Sequence, residues 1–531
     1  MRALAKFLAL LFAFTLVAAA CGGDDDSTDA GGTDDDAEAA ESEDSEESED
    51  DLAGGGIDDD EAAEAVEEAA EAEADDGGSD AGSIEELEAE WATARQAVVD
   101  RIGSEGWGVN DDNVLVGPAG FEIDLNNCPA DWTNEAGLGD AITIGHTTAQ
   151  SGNLAAYGNI AAGMEVYFDY VNDTGGIGGL PIELVVKDDE YVATKTIELV
   201  DELLQAEDPF YVTTLGSPNT LAVYDSLNEK CIPHPFVMTG HPAWGDPEGH
   251  PWTTGLQMSY STEAVFWGNW IKQNLADDLP VTVAGLVMDN DFGLAYEDSF
   301  EKWAEANPDV VAEFLPVPHE PAAPTVTNEM TTIAASNPDV FISMTAGNPC
   351  LLAVQEAGNS GLTETAKALF APSVCKDQTA YMIPAGEAAD GFYIVGGGVK
   401  VTNDLQYADD PYISWANETM DAAGLDTSVG LYGTGFATYA WPHVEALRIA
   451  ADLEGGLTRA NLILAQRAMD LVHPITLDGI SFAVNGAEDG YYIEGSEFSQ
   501  YDAANETWTQ LGAAVDLNGS SPNCQWGEDG C

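Results

Sequence analysis

From residue 140 onward the sequence alternates short apolar runs with stretches of helical periodicity, and this alternation constrains the fold more than any other feature. The first strands are predicted in AITIGHTT, PIELVVKDD, FYVTTLG and PHPFVMTG, with helices near 153–173, 193–206 and 218–230. The apolar segments TVAGLVMDND, DVFISMTAG and ADGFYIVGG continue the pattern. Strands that alternate with helices form parallel sheets with crossover helices. A chain of 531 residues is long enough for two such lobes.

Several of the predicted strands end in small or polar residues. Ligands of α/β proteins bind outside the carboxyl ends of the strands, and hydroxyl groups and free N–H groups at a helix N-terminus suit a carboxylate or a carbonyl group. Ser217 and Thr239 could equally act as simple helix caps. The candidates at these ends in the first part of the fold are Ser151, Gly152, Ser217, Met238, Thr239 and Gly240.

Three longer blocks are more specific in their order and spacing than any single motif. They read ITIGHTTAQSGNLAAYGNIAAG, TLGSPNTLAVYDSLNEKCIPH and LVMDNDFGLAYEDSFEKW. Together they resemble the type I periplasmic binding proteins of ABC transporters, and among these the branch that binds branched-chain amino acids. The resemblance covers about residues 140–515. It implies an α/β fold with two Rossmann-like lobes, joined by three crossing strands, that close on a ligand in the cleft.

The resemblance also implies how the chain is divided. The first lobe would comprise 140–258 and 397–470, and the second lobe 260–395 and 475–515, followed by a tail at 516–531. In the first lobe, Ser217 matches the serine that takes the polar head of the ligand, and Tyr157 matches an aromatic residue. We further expect Ser151, Gly152 and Tyr157 to form one lip of the cleft, and Ser217 and Thr239 to bind the polar head. The second lobe would contribute Phe292, Ala346 and Ser373, matched in position to residues that close over the ligand.

Ser373 is the main departure from the amino-acid binders, because these proteins have an acid at that position to receive the ligand ammonium. A buried ammonium without a carboxylate costs several kcal/mol. Either another acid serves, with Asp377 and Asp291 near in sequence, or the ligand has no ammonium. Small amides, other organic acids and aromatic acids are then candidate ligands.

The N-terminal region predicts secretion and anchoring. Residues 1–20 have the charged start and apolar run of a signal peptide, and Cys21 follows small residues as in a lipoprotein cleavage box. Ordinary cleavage with an unmodified Cys21 is the alternative. Residues 21–82 are predicted to be a disordered acidic tether. The segment 83–139 is predicted to be a leader, with a helix at 83–103 followed by irregular chain.

Charge and cysteine content narrow the classes of partner. The formal net charge is -81, which disfavours nucleic acid and anionic membrane surfaces as partners. If Cys21 carries lipid, six cysteines remain, which allow 15 pairings. Favoured pairs are Cys350 with Cys375, Cys524 with Cys531, and Cys128 with Cys231.

We therefore expect an extracytoplasmic solute-binding lipoprotein, held at the cell membrane by its lipid alone, that delivers a small polar ligand to the permease of an ABC importer. A ligand-sensing ectodomain with the same fold is the alternative. The sequence contains neither a G-x-S-x-G nucleophile motif nor an H-E-x-x-H zinc motif, so we expect no enzyme activity, no metal and no cofactor.

Overall fold

The structure is a computed structural model that describes residues 59–72, 82–527 and 531. The predicted signal peptide, Cys21 and most of the predicted tether lie outside these residues. The helices are α1 (Asp59–Glu71), α2 (Ile84–Glu105), α3 (Gly158–Asp173), α4 (Ala193–Ala206), α5 (Ser217–Glu229), α6 (Tyr260–Asn274), α7 (Asp291–Ala306), α8 (Thr327–Ser336), α9 (Asn348–Ser360), α10 (Leu362–Thr365), α11 (Pro411–Ala422), α12 (Gly430–Gly433), α13 (Trp441–Asp452) and α14 (Arg459–Arg467).

The strands are short, and most lie in two sheets. They are β1 (Gly108–Val109), β2 (Val114–Val116), β3 (Glu122–Asp124), β4 (Ile142–Thr148), β5 (Ile182–Asp188), β6 (Tyr211–Thr214), β7 (His234–Val237), β8 (Thr253–Gly255), β9 (Val281–Met288), β10 (Val311–His319), β11 (Val340–Met344), β12 (Ala368–Ala371), β13 (Tyr393–Val395), β14 (Asp470–Leu471), β15 (Phe482–Ala483), β16 (Phe498–Asp502) and β17 (Thr507–Gln510).

The first lobe is built on parallel strands in the order β5-β4-β6, and β7 and β8 form a parallel pair beside them. A parallel bridge between Leu215 and Met238 connects the ends of β6 and β7. Strands β6 and β7 are buried along their whole length, as expected for parallel strands covered by helices on both faces. The predicted α/β fold class is confirmed.

The second lobe contains a seven-stranded sheet in the order β10-β9-β11-β12-β13-β16-β17. The first five strands are parallel, and β16 and β17 are antiparallel additions at one edge. The chain passes between the lobes three times, between Gly255 and Tyr260, between Val395 and Pro411, and between Arg467 and Phe498. An antiparallel bridge between Val399 and Thr476 pairs the second passage with the third.

The leader is more regular than its composition suggested. Helix α2 starts at the predicted cap, where the Ser83 hydroxyl accepts a 3.3 Å hydrogen bond from the Glu86 N–H, but it continues past the predicted stop to Gly106. Its buried stripe contains Leu87, Trp91, Val98 and Ile102. The segment predicted to be irregular forms an antiparallel sheet of β1, β2 and β3.

The prediction of disorder through 21–82 is wrong for α1. Alanine and glutamate are strong helix formers, and the spacing of Ala62, Val66 and Ala69 places all three on one face, which is buried. The Gln273 side chain of α6 donates a 2.9 Å hydrogen bond to the Ala63 carbonyl. Helix α1 therefore packs against the second lobe.

All three favoured cysteine pairs are disulfides in the structure. Cys128–Cys231 ties the leader to the first lobe, across 103 residues of chain. Cys350–Cys375 joins the start of α9 to the turn after β12, and Cys524–Cys531 closes a short loop at the C-terminus. In the part of the chain that the structure describes, no helix has the length and hydropathy needed to span a bilayer.

Candidate functional site

A cavity of about 160 Å³ lies between the carboxyl ends of the two sheets. The first lobe contributes Leu215 and Gly216 after β6, and Met238 and Thr239 after β7. The second lobe contributes residues that follow β9, β11, β12 and β13, and the interlobe passages add further walls. These second-lobe and passage residues are Phe292, Ala346, Ser373, Val374, Lys376, Asp377, Gly396, Gly397, Val399, Lys400, Val401, Thr402, Gln257, Met258, Tyr260, Ile475 and Ile493. The cavity therefore lies where ligands of α/β proteins bind.

The first-lobe side of the cavity combines a helix N-terminus with a chain of hydroxyl groups. Gly216, at φ 98°, precedes α5, and a Cβ there would overlap the ring of Tyr191. The Thr239 hydroxyl lies 2.7 Å from the Ser217 hydroxyl and 3.3 Å from the Tyr260 hydroxyl. The positive end of the α5 dipole and these hydroxyl groups favour an anionic or carbonyl group.

Aromatic rings form one wall. The ring of Tyr260 packs edge-on against Phe292 at 5.1 Å and stacks on Tyr296 at 4.2 Å between centroids. Tyr439 also lines the cavity and donates a 2.7 Å hydrogen bond to Gln257. Most of the remaining wall is aliphatic, so the site suits a ligand with an apolar body and few polar groups.

Ser373, on the second-lobe side, is held by a buried acid. Its backbone N–H and its hydroxyl each donate a 2.7 Å hydrogen bond to the Glu263 carboxylate, and the Tyr296 hydroxyl donates a third of 2.7 Å. Glu263 is fully buried in the first turn of α6 and is not part of the cavity wall. Burial raises the pKa of Glu263 to about 7, against the lowering effect of these hydrogen bonds.

Lys376 and Asp377, which follow Ser373 closely in sequence, differ in how many of their polar atoms have a hydrogen-bond partner. The Lys376 ammonium pairs with Glu497 and donates to the carbonyl groups of Gly396 and Val399. Asp377 accepts hydrogen bonds at Oδ1, including 2.7 Å from the Thr379 hydroxyl. Its Oδ2 is buried and has no hydrogen-bond partner among the described residues. Asp377 is thus a carboxylate among the residues that line the cavity, and its Thr379 contact holds it in place.

The two lobes touch each other at the edge of the cavity. The backbone N–H of Gly347 in the second lobe donates a 3.0 Å hydrogen bond to the Tyr157 hydroxyl in the first. Gly347 has φ 64°, and a Cβ there would overlap the side chain of Leu154. Because both contacts join one lobe to the other, the structure shows the cleft in a closed arrangement.

A sequence profile of the periplasmic binding proteins matches residues 141–494, about two thirds of the chain. The chain belongs to the periplasmic binding protein family. Members are solute-binding proteins rather than enzymes, and similar solved structures include substrate-binding proteins of ABC transporters. The family places the protein outside the cytoplasm. No curated protein matches the chain.

Solved structures similar to this periplasmic binding protein bind different ligands. A fatty acid ABC transporter substrate-binding protein from Thermomonospora curvata aligns with TM-score 0.60 and 18% identity, over 77% of this chain and 97% of its own. A branched chain amino acid ABC transporter protein from Thermus thermophilus with bound valine gives 0.62 and 17%, over 72% and 97%. An R. palustris solute binding protein in complex with benzoate gives 0.58 and 20%, over 72% and 99%.

The structure places six of the ten predicted ligand-binding residues in the cavity wall. They are Tyr157, Met238, Thr239, Phe292, Ala346 and Ser373. Asp377, considered as a substitute acid, also lines the cavity, whereas Asp291 is exposed at the start of α7.

The other four predicted residues are not in the cavity wall of this periplasmic binding protein. The Ser151 hydroxyl donates a 2.7 Å hydrogen bond to Asp188, and Gly152 is exposed in the loop. Ser217 is fully buried and its hydroxyl pairs with that of Thr239. Gly240 packs against the Met258 carbonyl and the Tyr260 ring. These four residues support the loop and the wall rather than forming the lining.

Sequence reasoning missed the residues that the interlobe passages contribute. Gln257, Tyr260 and Glu263 come from the first passage and the helix after it, and Tyr439 comes from a helical segment far along the chain. The signal for Glu263 was its place in the apolar sequence EAVFW, where an acid at the start of a buried helix is costly without partners. Among the described residues, no cluster of His, Cys, Asp and Glu could hold a metal ion.

Proposed function

We propose that this protein captures a small extracytoplasmic solute in the cavity between its lobes and delivers it to the permease of an ABC importer. The observation that carries the proposal is that both lobes contribute residues from their strand ends to one cavity. A ligand that contacts both lobes stabilises the closed arrangement relative to an open one. A permease can then distinguish the loaded protein from the unloaded protein by the shape of its surface.

The cavity favours a ligand with an apolar body and a carboxylate. Its volume of about 160 Å³ lies below the ~300–1,000 Å³ of drug-sized pockets, so the ligand has few heavy atoms. Valine, benzoate and a fatty acid, which the similar structures name, each combine a carboxylate with an apolar body. The α5 N-terminus and Thr239 offer positive dipole and hydroxyl groups to such a carboxylate.

The opposite wall favours a hydrogen-bond donor on the ligand. The carboxylate residue Asp377 lines this wall, and the Ser373 hydroxyl is already used as a donor to Glu263, which leaves its oxygen to accept. An ammonium, amide or hydroxyl group near these residues would find acceptors there. A small amino acid or a related amide with an apolar side chain fits both walls.

The N-terminal region completes the proposed role. Lipid on Cys21, followed by the acidic segment, would keep the binding protein close to a permease in the same membrane. A single lipid chain gives only marginal membrane binding, so the bacterial lipoprotein type of modification, with more than one chain, suits a stable anchor. Mass spectrometry of the purified native protein tests this, because lipid on Cys21 adds the mass of the acyl chains to that of a chain starting there.

A thermal-shift screen tests the ligand class. The signal-free protein is heated with L-leucine, L-valine, 4-methylpentanoate, benzoate and acetamide at matched ionic strength. A ligand at a thousand times its Kd adds about 4 kcal/mol to the stability of the folded state, which raises Tm by several degrees. A shift with the amino acids or carboxylates supports the proposal. No shift with any of the five compounds would contradict the ligand class.

The matched variants are Thr239→Val in the cavity wall and Thr331→Val on the exposed face of α8. We expect Thr239→Val to reduce the ligand-induced shift, because valine keeps the shape and removes the hydroxyl. Thr331→Val should leave the shift unchanged. Equal shifts in both variants would place the ligand elsewhere.

A further inference from the structure

Glu263 lies directly behind the cavity wall, with no exposed surface of its own. It belongs to α6, which begins where the chain first passes into the second lobe. Its carboxylate receives three hydrogen bonds, from the Ser373 N–H, the Ser373 hydroxyl and the Tyr296 hydroxyl, each 2.7 Å long. Ser373 itself lines the cavity.

This arrangement fixes what Ser373 can offer to a ligand. A serine hydroxyl has one proton to donate and two lone pairs that accept. Because the proton points to Glu263, the Ser373 oxygen can only accept a hydrogen bond from the cavity. Donation to an ionised carboxylate also makes that oxygen a stronger acceptor. The charge of Glu263 thus reaches the ligand through Ser373.

We propose that Glu263 is a positioning residue that determines which polar group the cavity selects, by setting whether Ser373 accepts or donates. With Glu263 ionised, Ser373 accepts from an ammonium or amide N–H. With Glu263 protonated, the new carboxyl O–H donates to the Ser373 oxygen, and the serine proton turns toward the cavity, where it suits a carboxylate or carbonyl oxygen. The proton comes from solvent, and the inference rests on the ligand site of the proposed function.

The groups around Glu263 determine the pH at which its carboxylate gains a proton, and this pH lies near neutrality. Tyr260 lies on the same helix, Tyr296 on α7 and Ser373 after β12. Glu497, directly before β16, contributes its charge without a hydrogen bond to Glu263. Burial, and to a smaller degree the negative charge of Glu497, raise the pKa of Glu263 to about 7, against the hydrogen bonds that lower it. The Lys376 ammonium, which also lines the cavity, is paired with Glu497.

The test compares two probes that differ only in the ammonium, L-leucine and 4-methylpentanoate. Their Kd values are measured by calorimetry at about pH 6 and about pH 8, where neither probe changes its charge. For the wild-type protein, the preference for leucine over 4-methylpentanoate should rise about tenfold from the lower to the higher pH, the effect of one hydrogen bond to or through a charged group.

Glu263→Gln and Ser373→Ala should each abolish this pH dependence, because glutamine cannot ionise and alanine has no hydroxyl to relay the charge. The control is Glu494→Gln. Glu494 is also buried, with its pKa raised to about 7, but it accepts from the N–H groups of Gly519 and Ser521 and does not line the cavity. This variant should keep the pH dependence of the wild type.

The outcomes separate the inference from the proposed function. A pH-independent preference in the wild type, with both probes bound, overturns the inference and leaves the function standing. Retention of the pH dependence in Glu263→Gln, or its loss in Glu494→Gln as well, also overturns the inference. Failure of both probes to bind the wild-type protein at either pH overturns the inference together with the ligand class on which it rests.

Discussion

The hydroxyl of Tyr157 accepts a 3.0 Å hydrogen bond from the backbone N–H of Gly347. Tyr157 lies just before α3 in the first lobe, and Gly347 lies just before α9 in the second. The bond therefore links the lobes beside the cavity that both of them line. Tyr157 is itself part of the cavity wall, so one side chain takes part in both ligand contact and closure.

Tyr157→Phe should weaken closure while preserving the ring. Loss of this buried hydrogen bond costs about 1 kcal/mol, and leaves the Gly347 N–H without its partner. We expect leucine affinity to fall about fivefold, and the radius of gyration in small-angle X-ray scattering to increase. Tyr224→Phe is the control, because the Tyr224 hydroxyl donates to the Ala243 carbonyl within the first lobe. Equal radii for Tyr157→Phe and the wild type would contradict a role in closure.

Glu263 should also make stability depend on pH. Its pKa in the folded protein is about 7, above the ordinary value of 4.5, so the folded state binds the proton more tightly than the unfolded state. The stabilisation is therefore present below about pH 4.5 and is lost as pH rises through about 7, by about 3 kcal/mol. Urea unfolding at pH 5 and pH 8 measures this. The difference in the free energy of unfolding between Glu263→Gln and the wild type should therefore favour the variant more at pH 8 than at pH 5. The same difference at both pH values would contradict the prediction.

The disulfides should differ in their effect on ligand binding. Cys350–Cys375 closes a loop of 25 residues and lies two residues from Ser373. The variant Cys350→Ala/Cys375→Ala should lose about 3 kcal/mol of stability and weaken leucine binding, because the turn after β12 is then less constrained. Cys128→Ala/Cys231→Ala, which frees the leader, should lower stability and leave affinity unchanged. Calorimetry with leucine measures the affinity of both variants. Equal leucine affinities in the two variants would contradict the predicted role of Cys350–Cys375 in ligand binding.

Arg95 should anchor the leader helix. It pairs at 2.6 Å with Glu445, which is fully buried in α13 and also meets Arg448. Arg95→Met leaves a buried carboxylate with one cation fewer, and we expect a loss of about 2 kcal/mol, less than for complete loss of partners. Lys302→Met removes an exposed pair with Asp298 and should cost under about 1 kcal/mol. Similar losses in the two variants, measured by urea unfolding, would contradict the buried role of the Arg95 pair.

The sequence predicted elements whose pattern is local. Strand β4 and helix α4 lie within a residue of the predicted bounds, because apolar runs and caps mark both. Helix α1 was not predicted because its sequence is rich in acidic residues and has an apolar stripe of only three residues. Such a short stripe stabilises a helix only when it is buried against another part of the protein. The strands β1, β2 and β3 were missed because each has three residues or fewer.

The candidate site divides in the same way. Thr239 and Phe292 were found because each follows a recognisable strand. Tyr260 and Tyr439 were not found, because they reach the cavity from the interlobe passage and from a helix remote in sequence. The acid expected in place of Ser373 is present one layer deeper as Glu263, which lies 110 residues earlier in the chain. Only the tertiary structure brings those two residues together.

A cavity-filling variant tests most directly whether the protein binds a small molecule in the cavity between its lobes. Ala346 lines the cavity and is buried, whereas Ala335 is exposed on α8. Calorimetry with L-leucine and benzoate should show one binding site per chain for at least one of the two probes. This binding should be lost in Ala346→Phe, whose ring fills the cavity, and should be kept in Ala335→Phe. Unchanged binding in Ala346→Phe, or no binding of either probe to the wild type, would contradict the account.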